Sequence, residues 1–118
     1  MGAIGDALDE VVAQLTAAGI TATTDPAAAD LPGAIVYPAR IDFDRLGGDG
    51  FDMDVDIVLV ARQLVGRDAV DQLDTLVSAF RAWCPAVEFT AVSVALTSQA
   101  ADPLPALRAT LPVEVTTT

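Results

Sequence analysis

Asp52, Asp54 and Asp56 alternate with apolar residues in Phe51–Val60 (FDMDVDIVLV), and Asp42, Asp44 and Asp49 stand just upstream. Closely spaced carboxylates are ligands for hard cations, and a pair of them can do acid–base work on a glycosidic bond. The spacing argues against both. An EF-hand loop opening at Asp52 needs glycine at its sixth position and a bidentate Glu at its twelfth, where this chain has Ile57 and Gln63. In an extended strand the three carboxylates lie in a row roughly 6.6 Å apart, twice the residue rise, and do not converge. The expectation is a solvated strand face: Asp52, Asp54 and Asp56 exposed, with no metal bound.

Other chemistry is equally thin. The chain has no His, so it has no Ser–His or Cys–His dyad and no imidazole base. Gly47-Gly48-Asp49-Gly50 lacks the Lys and the spacing of a phosphate loop. Cys84, the single cysteine, sits among apolar residues before Pro85, as a packed thiol would. Tyr37 and Trp83 read as core or interface groups. No catalytic residue, cofactor or metal is expected.

The elements that position the carboxylates follow from periodicity. Residues 3–18 place Ile4, Leu8, Val11, Val12 and Leu15 at helical spacing, with Gly19 at the C′ position and Ile20 folding back on Leu15. Ile20–Thr24 and Ala34–Tyr37 read as short strands, the second closed by Pro38. Ile41–Asp44 alternates again and pairs with Phe51–Val60 as a hairpin with a longer loop. Within Phe51–Val60 the odd positions are apolar throughout, while the even ones change from Asp to Val58 and Val60. The first half therefore has one wet face, and the second is covered on both.

A second helix starts with Asp68 as N-cap and Asp71 at N3, carries a stripe of Val70, Leu73, Val77 and Phe80 flanked by Leu76 and Trp83, and stops at Pro85. Val87–Thr97 is a strand and Gln99–Pro105 a loop. Leu107–Val115 is a last strand, in which Pro112 demands an edge or a bulge. The fold class is α+β: a mixed, mostly antiparallel sheet of about four to five strands, with two helices packed on one face, in a single domain spanning 1–118. The other face would then hold an uncovered apolar patch of Val58, Val60, Val92, Val94 and Leu96, which marks a subunit interface.

Charge narrows the partners. Seventeen acids stand against six arginines, and residues 1–60 hold eleven of those acids with two arginines. Such a field excludes a general nucleic-acid binder, while a 53% hydrophobic content excludes disorder. No stretch reaches the length of a membrane span, and the chain reads as soluble and made in a reducing cytoplasm.

Four passages, "LTAAGI", "DPAAADLPGAIVYPARIDFD", "VGRDAVDQLDTLVSAF" and "LPALRATLPVEVTTT", together with the overall layout, resemble the tail terminator and tail-completion proteins of long-tailed bacteriophages. The resemblance implies a structural virion protein without catalytic residues, made in the bacterial host cytoplasm and located in the tail or neck. It implies a homo-hexameric ring that caps the tail tube protein, meets the head-completion protein, and lets DNA pass without specific binding. Asp42, Asp44, Asp49, Asp52, Asp54 and Asp56 would then form an acidic edge at the channel or its rim. The alternatives are another head–tail completion or minor tail protein, a monomeric acidic binding domain, and a small hydrolase using paired aspartates.

Overall fold

The computed structural model describes residues 3–25, 32–42, 50–62, 67–85, 87–94 and 104–116. Its elements run α1 (Ala3–Ala17), β1 (Ala22–Thr23), β2 (Gly33–Asp42), β3 (Gly50–Val60), α2 (Arg67–Trp83), β4 (Thr90–Val94) and β5 (Leu104–Thr116). The five strands form one sheet in the order β1-β2-β3-β5-β4. Among the described residues only the β1–β2 pairing is parallel; the others are antiparallel. This is the expected α+β arrangement.

α1 ends as its sequence dictates. Gly19 has φ +94°, a conformation that costs glycine little. The Ile20 N–H donates to the Leu15 carbonyl at 3.0 Å and the Gly19 N–H to the Thr16 carbonyl at 3.1 Å, the two bonds of a Schellman ending. Leu15 and Ile20 are both buried in the main core, so the turn is fixed by packing as well as by hydrogen bonds.

That core lies between the helices and one sheet face. Leu8, Val11 and Leu15 of α1 and Leu76 and Phe80 of α2 pack with Ala34, Val36, Met53, Val55, Ile57, Leu59 and Ala109. The odd positions of β3 thus form the dry face that alternation demands. Phe80 stacks edge-on against Trp83 and Phe89, with centroids 5.2 and 5.4 Å away, which ties the end of α2 to the segment entering β4. Cys84 is half-buried against the same core.

Five local expectations are corrected. Pro38 does not close β2: the strand runs on to Asp42 through a bulge between Pro38 and Arg40, which absorbs the missing donor. α2 begins at Arg67, so Asp68 lies in its first turn and does not cap it. The helix is also rotated from the expected stripe. Ala69, Leu76 and Phe80 are buried, Leu73 and Val77 are half-buried, and Val70 is 55% exposed.

Leu104 and Pro105 belong to β5 rather than to a loop, because Leu104 is buried and the Pro105 carbonyl accepts the Ala61 N–H at 3.1 Å. Val87–Phe89 are not paired as strand, so β4 starts at Thr90. Residues 95–97 of the expected strand lie outside the described residues.

Three substitutions test this packing. Leu76→Ala removes a buried side chain and should cost about 2–5 kcal/mol, with Leu73→Ala losing clearly less because that residue is half-buried. Gly19→Ala puts its Cβ into open space, so only the left-handed backbone is penalised, by about 1–2 kcal/mol. Urea unfolding of the three variants checks both the ranking and the sizes.

Candidate functional site

The sheet face opposite the helices carries the carboxylates, and cross-strand register shows how they are gathered. Asp52 stands directly between Asp42 on β2 and Glu114 on β5. Asp54 stands between Arg40 and Pro112, and Asp56 between Tyr37 and Thr110. One step further, Val58 lies between Ile35 and Arg108. The face therefore runs from an acidic end, through a hydroxyl-rich middle, to an apolar end. Three acids abreast on neighbouring strands repel one another. Arg40 is the one cation that register places among them in the described residues.

Burial rises along β3 on this face. Asp52 is exposed, Asp54 intermediate, and Asp56 buried, with only 8% of its surface left. The expectation that all three are solvated is thus wrong for Asp56. The boundary between wet and dry falls one residue pair earlier than composition indicates, because Tyr37 and Thr110 flank Asp56 from both neighbouring strands. Its carboxylate is compensated: Thr110 Oγ1 donates to Asp56 Oδ1 at 2.5 Å. No buried side-chain nitrogen or oxygen among the described residues lacks a partner. Asp44 and Asp49 lie outside the described residues, and for Asp42 only the strand position is described.

The apolar end corrects a second expectation. Val58 and Val60 are not an open patch: they are buried within the single chain, with Ile35, Leu104 and Ala106. Val92 packs against this second cluster and is only partly covered. Val94 holds its strand place opposite Leu104, and Leu96 lies outside the described residues. β5 adds to the cover through Leu104 and Ala106, of which Leu104 comes from the stretch read as loop.

β5 also builds a feature that sequence reasoning missed. β4 pairs with β5 only as far as Thr90 and Arg108. Beyond that point Val87 and Glu88 diverge from Thr110, Leu111 and Pro112, opening a cleft of about 390 Å³. Alternation in "LRATLP" places Arg108 and Thr110 on one face, but their meeting with Asp56 and Thr90 is set by long-range pairing. Glu114 was missed for the same reason. A second, apolar groove of about 330 Å³ lies between the ends of the helices, lined by Gln14, Ala17, Ala18, Ala82 and Trp83.

Comparison with protein-family models, with curated proteins and with solved structures finds no match. Among the described residues no group of three or more acidic or sulfur ligands is placed to hold a metal ion, and no helix is long and apolar enough to cross a membrane. The chemistry of this face is electrostatic: a concentrated negative end on a rigid, three-stranded support.

The buried carboxylate gives the next test. Thr110→Val strands Asp56 without its hydrogen bond and should cost about 1–3 kcal/mol. Removing both groups, with Asp56→Val and Thr110→Val together, should restore most of that loss, because no orphaned polar group remains. A double-mutant cycle in denaturant measures the coupling.

Proposed function

We propose that this chain is a structural ring subunit of a phage tail or neck, a tail terminator that caps the tail tube and joins it to the head. One observation carries the reading: Asp42, Asp52 and Glu114 stand abreast on three strands, with Asp54 beside them, on the sheet face away from the helices. A channel that passes DNA without holding it needs a wall that repels phosphate. Six copies of an acidic sheet end around one axis would provide that wall. The helices would then face outward, and the apolar core between them and the sheet would keep each copy rigid.

The seams between copies lie elsewhere than first expected. Val58 and Val60 are already buried in their own chain, so they do not mediate contact. Assembly draws instead on surface outside that cluster, and gathering like charges around an axis opposes it. Closure is therefore salt-dependent: added salt shortens the reach of the repulsion to about 8 Å at physiological ionic strength. In this reading the free chain is monomeric at low salt and closes into a ring of six as screening rises or when a tail tube end is supplied.

Native mass spectrometry and light scattering across ionic strengths, with and without tail tubes, test the assembly. The expected result is a closed oligomer that grows with salt and localises to tube ends. A chain that stays monomeric in every condition and never binds a tube end would leave a monomeric acidic binding domain in its place.

A further inference from the structure

The cleft between β4 and β5 has the parts of a site for an extended peptide. Two chain segments that pair up to Thr90 and Arg108 separate beyond them, leaving β5 from Ala109 onward with β3 on one side only among the described residues. An outer strand edge presents unpaired N–H and C=O groups, which an added strand can take up. The cleft, about 390 Å³, falls in the size range of ligand sites. Pro112 lines its far end and supplies no donor, so the pairing stretch is short.

Charge selects the occupant. Arg108 and Glu88 line the cleft from opposite banks, and no ion pair joins them among the described residues. Arg108 is exposed and belongs to β5, the bank on which an added strand would lie. Its planar fork of donors matches a carboxylate in a bidentate pair. In a chain with seventeen acids and six arginines, an arginine that forms no ion pair among the described residues and lies beside a strand edge is available to a partner's acid. Glu88 works against that acid from across the gap, and so limits how tightly it is held.

We propose that this cleft binds an extended segment of a partner protein by strand addition to β5 at Ala109–Leu111, with an acidic side chain of that segment held by Arg108. The site does not depend on the ring: it is complete in one chain, and a monomer would carry it equally.

The test titrates the isotope-labelled full chain with a blocked hexapeptide of alternating valine and threonine bearing one central aspartate, followed by amide NMR. The control is the same peptide with lysine in place of the aspartate. Shifts concentrated at Ala109–Leu111 and Val87–Phe89, stronger for the aspartate peptide, support the site. Arg108→Glu, a change at an exposed position, should weaken the aspartate peptide roughly tenfold, the size of a lost charged hydrogen bond, and reverse the preference toward lysine. Glu88→Gln should tighten the aspartate peptide. No response at those amides at millimolar peptide, or equal response to both peptides in the native chain, overturns the proposal.

Discussion

β3 has to be two strands in one, and the rest of the chain follows from that constraint. Its odd positions Val55, Ile57 and Leu59 are fully buried under the helices, while its even positions pass from acid to aliphatic along the opposite face. The magnitudes show why this is tolerable. Two exposed unit charges about 5 Å apart in water repel by roughly 0.8 kcal/mol, whereas each fully buried Val, Ile or Leu contributes about 1.5–3 kcal/mol. A few repulsions at the exposed end are outweighed by the buried half. The same charges in the interior would not be, and the one carboxylate that does enter it, Asp56, is held by the Thr110 hydroxyl.

What was legible locally is what local physics decides. "LTAAGI" carries its own helix ending, because only Gly19 accepts the left-handed turn cheaply and Ile20 must return to the core. The alternation in "FDMDVDIVLV" identifies the helix-covered face without knowledge of any neighbour. Pairing partners are another matter. The insertion of β5 between β3 and β4 is set by closure of a distant segment, and it adds Leu104 and Ala106 to the cluster that buries Val58 and Val60 and brings Thr110 to Asp56. Composition placed the wet–dry boundary at the last aspartate; the flanking strands move it inward by one pair.

Prolines misled in the same way. Pro38 reads as a strand end and Pro105 as the last residue of a loop, yet both lie within strands. Pro38 sits at a bulge, and Pro105 lies near the start of β5, where its carbonyl still accepts from Ala61. Pro112 was read correctly in its consequence, since β5 beyond Arg108 has a strand partner on one side only among the described residues. The acidic end was legible as a set of types but not as a geometry. Its abreast arrangement needs β2, β3 and β5 in register, and Glu114, sixty-two residues from Asp52, enters only then.

The prolines also explain how such a sheet can leave edges open. An outer strand with continuous donors would pair with any extended chain, including another copy. On β2, Pro38 and the adjoining bulge interrupt the edge where β1, only two residues long, no longer covers it. On β5, Pro112 interrupts the edge four residues past Arg108. Edge-to-edge association is thereby hindered along these two stretches, while a short run of backbone beside Arg108 stays usable. Acidic repulsion adds to this at the Asp52 end, where two like sheet ends approaching each other would meet carboxylate against carboxylate. Along these stretches contact therefore favours a partner that brings the right length of strand or the right charge.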